Sequence, residues 1–109
     1  MKSLLISTVV CAAFGLATPA FAADAAAAQA LLKKAECTKC HAVDKDKKGP
    51  SYKKVAAKYK GKADAEKSLE KNLTTNPKVK LDDGTEEEHK ALKADAGAMK
   101  NLIEWILAQ

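Results

Sequence analysis

Arginine is absent from this 109-residue chain, and all 19 of its Lys and Arg positions are lysine. Without a guanidinium fork, the bidentate base contacts of specific nucleic-acid binding have no support, so we expect no nucleic-acid partner. Aromatic residues make up only 5% of the chain, which leaves little to fill a core by itself. No apolar run in the chain is long enough to cross a bilayer, and we expect no stable membrane insertion. No segment alternates with the period of two typical of a strand, which predicts an all-α protein.

The one long apolar stretch, from Leu4 to Ala17, is typical of a cleaved signal peptide. A lysine precedes it and a small-x-small cleavage pattern ends at Ala22. The stretch is too short to span a membrane. We therefore assign residues 1–22 to a signal peptide and residues 23–109 to a single domain, with export to the periplasm. Cleavage leaves 109 − 22 = 87 residues, which is small for a domain that folds on its core alone.

The mature part keeps two cysteines, and both lie in the C-T-K-C-H run from Cys37 to His41. This run is the pattern of c-type haem attachment. Cys37 and Cys40 would form thioethers with the haem vinyl groups, and His41 would be the proximal iron ligand. Two other chemistries use the same residue types. A redox disulfide would stand beside a βαβ pattern, which we do not find, and a zinc site could draw on the same three side chains together with His89.

Helix signals account for most of the mature chain. Asp24 and Asp95 are possible N-caps of the first and last helices. Apolar residues follow at helical spacing in both, at Ala28, Leu31, Leu32 and Ala35 and at Met99, Leu102, Ile103 and Ile106. Two shorter helices are expected over residues 51–58 and 64–74, and an irregular segment over residues 78–94.

The mature chain resembles the small bacterial class I cytochromes c along its whole length. Three segments carry the resemblance, namely the helix that runs into Cys37–His41, the segment Lys48–Tyr59, and the C-terminal helix that contains Trp105. The resemblance implies a class I cytochrome c fold of about four helices wrapped around one covalently attached haem c. It also implies that the terminal helices cross beside the haem, and that the Pro50 carbonyl accepts a hydrogen bond from the ring of His41.

The sequence departs from that family at the sixth iron ligand, which is usually a methionine in a proline-rich loop before the last helix. Here residues 82–92 contain neither methionine nor proline. His89 lies in that loop, 105 − 89 = 16 residues before Trp105, whereas Met99 lies 105 − 99 = 6 residues before it, inside the expected helix. We therefore predict ligation by His41 and His89, with Met99 as the alternative sixth ligand.

Ligation by two histidines indicates a carrier of single electrons rather than an enzyme. Both axial positions would be filled by the protein, and imidazole raises the redox potential less than a methionine sulfur does. The alternative function is a haem-based gas-binding or sensing protein in which the sixth ligand is displaced.

Charge is distributed unevenly along the mature chain. From Lys33 to Lys80 there are 15 lysines and 6 acids, a balance of +9, and from Leu81 to Gln109 there are 3 lysines and 7 acids, a balance of −4. A lysine-rich haem edge would attract acidic redox partners. The alternative is that these lysines are ordinary solvated side chains. We expect the protein to be a monomer.

Overall fold

A computed structural model describes residues 23–109, and the predicted signal peptide, residues 1–22, lies outside the described residues. Four helices dominate the fold, which confirms the predicted all-α class. In chain order the elements are α1 (Ala25–Lys34), a 3-10 turn (Cys37–Lys39), α2 (Tyr52–Tyr59), α3 (Ala65–Thr74), β1 (Lys78–Lys80), β2 (Glu86–Glu88) and α4 (Ala96–Leu107). Among residues 23–109, none of the helices has the length and apolar character needed to cross a membrane.

Side-chain caps set the starts of three helices. The Asp24 carboxylate accepts a hydrogen bond from the Ala27 amide at 3.0 Å, and the Asp95 carboxylate accepts one from the Ala98 amide at 2.8 Å. Both caps satisfy an amide that has no partner within its helix, as the sequence predicted. The Ser51 hydroxyl does the same at the start of α2.

The core lies where α1, α2 and α3 pack against α4. Leu102 is fully buried at its centre, and Asn101 beside it exchanges two hydrogen bonds with the backbone of Asp24, at 2.7 and 2.9 Å. The terminal helices are therefore joined by polar as well as apolar contacts. The buried cluster contains Ala28, Leu32, Tyr52, Leu69, Met99, Leu102, Ile103, Trp105 and Ile106.

A short antiparallel hairpin interrupts the segment that the sequence predicted to be irregular. Strands β1 and β2 pair with Lys78 opposite Glu88 and Lys80 opposite Glu86. Opposite charges across the strands favour this pairing. The turn between them contains Gly84 at φ 85°, a conformation that glycine adopts without steric cost. The hairpin brings the residues that follow β2, including His89, toward the CxxCH segment.

Candidate haem site

The CxxCH run folds as a single 3-10 turn that keeps its three functional side chains together. The amides of Cys40 and His41 both donate to the carbonyl of Cys37, at 3.1 and 2.9 Å. Cys37, Cys40 and His41 consequently line one cavity, with the two thiols unpaired and half-buried. The two cysteines and the histidine of the predicted haem motif are therefore brought to the same wall.

His41 is held on three sides by its neighbours. Its Nδ1–H donates a hydrogen bond to the Pro50 carbonyl at 2.7 Å, where the family resemblance places that bond. The ring of Tyr52 stacks against it with the ring centroids 5.3 Å apart. Gly49 packs so closely that a Cβ built there would lie 2.5 Å from the ring atom Cε1. With Nδ1 engaged, Nε2 is the nitrogen that His41 can offer to a metal.

His89 is fixed through its backbone at the far side of the same cavity. Its amide donates to the Pro77 carbonyl at 2.8 Å, and its carbonyl accepts from the Asn76 side-chain amide at 3.1 Å. Burial, and then the nearby His41, hold the pKa of His89 below its usual value of 6.5. The ring is therefore neutral at neutral pH, which is the form that binds metal ions.

Two adjoining cavities, of about 290 and 460 Å³, meet at the two histidines. The first contains the cysteines, and the second contains Tyr52, Tyr59 and Asn72. Both are lined mainly by apolar surface, as expected of a site for a large apolar cofactor. The walls that they share are His41, Pro50, Leu73, Val79 and His89.

The rings of His41 and His89 lie close together, in a tilted arrangement, where the two cavities meet. Their centroids are 6.2 Å apart and their planes differ by 47°. Met99 is placed differently, since it is 6% exposed within α4 and belongs to the buried core cluster. Its side chain is not among the residues that line either cavity.

Two buried polar atoms beside the cavities, Tyr52 Oη and His89 Nδ1, have no hydrogen-bond partner among residues 23–109. Burial also raises the pKa of the Tyr52 hydroxyl, so it remains a proton donor. Buried polar groups are rarely left unpaired in folded proteins. A polar group of a bound cofactor would satisfy the tyrosine hydroxyl, so the residues present fit a haem in this space.

The zinc and redox alternatives gain no support from the same residues. No group of three or more His, Cys, Asp or Glu side chains within residues 23–109 is arranged to hold a metal ion. Burial raises the pKa of the Cys37 thiol above its usual value, which disfavours the thiolate that zinc binding and disulfide exchange require.

Sequence reasoning missed two residues of the site. Tyr52 was covered only as part of the expected helix over residues 51–58, yet it stacks on His41 and also meets Trp105 edge-on, with the Tyr52 and Trp105 centroids 5.4 Å apart. Gly49 was covered only as part of the segment Lys48–Tyr59 that carries the family resemblance. Its position directly before Pro50, the acceptor for His41, was the available signal that backbone and ring approach closely there.

Comparisons with known proteins identify the family of the chain. The family model for cytochrome c matches residues 25–109. Cytochrome c-551 of Pseudomonas aeruginosa is 37% identical over 73 residues, which cover 67% of each chain. Cytochrome c-551 of Azotobacter vinelandii is 34% identical over 77 residues, which cover 71% of this chain and 90% of the relative.

A solved structure extends the similarity to the fold. The class 1 cytochrome MtoD of Sideroxydans lithotrophicus ES-1 is 55% identical and superposes with a TM-score of 0.78. The match covers 80% of this chain and 97% of that one. Members of the cytochrome c family carry one covalently attached haem c with its iron, and the cytochrome c-551 relatives are electron carriers rather than enzymes. On these grounds the chain belongs to the cytochrome c family, as a small class I c-type cytochrome.

Proposed function

We propose that this cytochrome is a periplasmic carrier of single electrons whose haem iron is ligated by His41 and His89. The haem would be attached through Cys37 and Cys40, and the protein would act as a monomer. The haem supplies the site that gains and loses the electron, and the protein's own residues orient it, exclude water and set its potential.

The assignment of the attachment residues is supported by their position on one wall of the cavity. The 3-10 turn keeps Cys37, Cys40 and His41 on one side of the cavity, as attachment to one porphyrin edge requires. The hydrogen bond from His41 to Pro50 fixes the imidazole and raises its donor strength. Mass spectrometry of the mature protein should find one haem beyond the chain from residue 23, and acid-acetone should fail to extract it. Recovery of a folded, haem-free protein with bound zinc would contradict the attachment.

The 6.2 Å between the two imidazole centroids is the observation that carries the choice of His89. A metal ion between the rings makes two metal–nitrogen bonds of about 2.0 Å each. Adding the distance from each nitrogen to the centre of its ring places the two centroids roughly 6.3 Å apart. The two rings thus stand at the separation that a shared iron requires. Met99 is packed inside the core, so it would have to leave α4 or unwind it to reach the iron.

Two histidine ligands have a functional consequence. A methionine sulfur favours reduced iron and raises the potential more than imidazole does, so we expect a lower potential than in His/Met members of the family. No axial position is left open for a substrate, which suits electron transfer. The gas-sensing alternative requires His89 to leave readily, and the hydrogen bonds from Asn76 and to Pro77 disfavour that movement.

The proposal that the redox partners are acidic is supported by the lysines around the two cavities. Lys39 and Lys48 line the first, and Lys54 and Lys58 line the second. If these lysines guide docking, oxidation by a negatively charged iron complex should slow as salt is added, because screening weakens the attraction. A rate that is independent of salt, or that rises with salt, would contradict a basic docking surface.

Three variants test the ligation directly. His89→Ala should open the iron, giving a high-spin spectrum and binding of carbon monoxide by the reduced protein. Met99→Leu should leave the visible spectrum unchanged, because the leucine stays within the core. His89→Met should keep six-coordinate iron and raise its potential. The reverse pattern, with Met99→Leu opening the iron and His89→Ala silent, would establish ordinary His/Met ligation.

A further inference from the structure

Two ion pairs join residues on either side of the CxxCH motif to the segment that carries His89. Glu36 Oε2 accepts from Lys90 Nζ at 3.2 Å, across 54 residues of sequence. Lys48 Nζ lies 3.7 Å from Glu87 Oε1. The pairs have opposite polarity, because the acid stands on the CxxCH side in one and on the His89 side in the other.

All four of these side chains line the cavity that contains the cysteines. Glu36 directly precedes Cys37, and Lys48 directly precedes Gly49. On the other segment, Glu87 lies two residues before His89 and Lys90 directly follows it. The hydrogen bonds from Asn76 and to Pro77 hold His89 only to the end of α3 and the start of β1. Among residues 23–109, the two ion pairs are therefore the polar side-chain links that reach from the His89 segment to the opposite wall.

Glu36 is held in an uncommon backbone conformation at this point. At φ 62° and ψ 22°, it is the one non-glycine residue with positive φ among residues 23–109. Its other carboxylate oxygen accepts from Lys39 at 2.8 Å. A left-handed conformation at a non-glycine residue persists where surrounding contacts hold it, and here both oxygens of the carboxylate are engaged.

We propose that Glu36–Lys90 and Lys48–Glu87 form an electrostatic clasp that closes the His89 segment over the haem cavity and keeps His89 on the iron. These four side chains are positioning residues, since they act on the iron only through His89. The proposal rests on ligation by His89. All four are more than half exposed, so the clasp is screened by salt and each pair contributes modestly.

Carbon monoxide uptake by the reduced holoprotein measures how often His89 leaves. The ligand is uncharged, so charge substitutions do not alter its approach to the site. Lys90→Gln and Glu87→Gln should each speed uptake by about two- to fivefold, the range typical of one exposed ion pair, and the double variant should speed it further. The matched control Lys93→Gln should react as wild type does, because Lys93 forms no ion pair within residues 23–109.

Charge reversal and salt separate a clasp from general effects of substitution. Lys48→Glu with Glu87→Lys restores an ion pair in the opposite sense without disturbing the Glu36–Lys39 contact, and should return uptake toward the wild-type rate. Added salt should speed uptake by wild type and leave the Lys90→Gln/Glu87→Gln variant unchanged. Neutral variants within about 1.5-fold of wild type, or a reversed pair that restores nothing, would overturn the clasp.

His89→Ala distinguishes failure of the clasp from failure of the ligation. If His89→Ala takes up carbon monoxide rapidly while the clasp variants match wild type, the clasp alone is wrong. If wild type and His89→Ala react at the same rate, His89 is not the ligand and the clasp falls with it.

Discussion

Replacing Gly49 with alanine should displace the His41 ring by a steric clash. The added Cβ would lie 2.5 Å from His41 Cε1 and 2.9 Å from Nδ1. Packed carbon atoms lie about 3.5–4.0 Å apart, so the ring or the backbone must move by about 1 Å. Overpacking of this kind costs about 1–3 kcal/mol of unfolding free energy. The movement should also weaken the 2.7 Å hydrogen bond from His41 to Pro50, which lowers the donor strength of the imidazole and raises the redox potential.

Gly97→Ala provides the matched control for this prediction. A Cβ added at Gly97 would meet only the Asp95 carboxylate, at 3.4 Å. Gly97 lies in the first turn of α4. Alanine there should be neutral or should stabilise the protein by up to about 1 kcal/mol, because glycine is the poorer helix former. Denaturant unfolding and potentiometric titration of both holoproteins give the comparison. If Gly49→Ala matches Gly97→Ala in stability and leaves the potential unchanged, the account of how His41 is held is wrong.

Three further outcomes are expected. Leu102→Ala should lower the unfolding free energy by about 2–5 kcal/mol in denaturant titrations, because it empties the fully buried centre of the core; a loss below 1 kcal/mol would contradict that placement. Lys54, and then the Ser51 amide, lower the pKa of Asp46 below its usual value of 3.8, so this carboxylate stabilises the fold above that pH and the stabilisation is lost as pH falls through the lowered pKa. Asp46→Asn should therefore lower the thermal midpoint at pH 7, with the difference from wild type shrinking below pH 3.8, and a difference that grows in acid would oppose this reasoning. Replacing Cys37 and Cys40 together with alanine should abolish the folded protein, which far-ultraviolet circular dichroism would show as lost helix, because so small a core depends on the attached haem.

Local signals in the sequence were sufficient for the helices. Asp24 and Asp95 were identified as N-caps because capping involves residues three apart, and both bonds are present. The apolar spacing likewise placed Leu32 and Leu102 on the buried faces of their helices, and the family resemblance implied that these helices cross. Both residues are buried in one cluster.

The hairpin was missed because its strands carry no sequence pattern. The two strands, Lys78–Lys80 and Glu86–Glu88, have three residues each and contain one apolar residue between them, Val79, which is too little for an alternating pattern to be recognised. Their pairing depends on charges opposite one another across the strands and on the Gly84 turn, which become apparent only when the register is known.

The site divides in the same way. The residues that could bind haem were predicted from the CxxCH motif and from the absence of methionine in the loop of residues 82–92. The ion pairs and the approach of the His89 ring to that of His41 join positions 39 to 54 residues apart, and no local pattern specifies such contacts. The stack of Tyr52 on His41 depends similarly on how α2 packs beside the motif.

The near-infrared absorption of the oxidised protein tests the proposed ligation most directly. Ferric haem with a methionine ligand shows a weak sulfur-to-iron band at the near-infrared edge, and ferric haem with two histidine ligands does not. We expect the wild-type protein to be low-spin and to lack this band, and His89→Met to acquire it. A band in wild type that disappears in Met99→Leu would show that methionine is the sixth ligand.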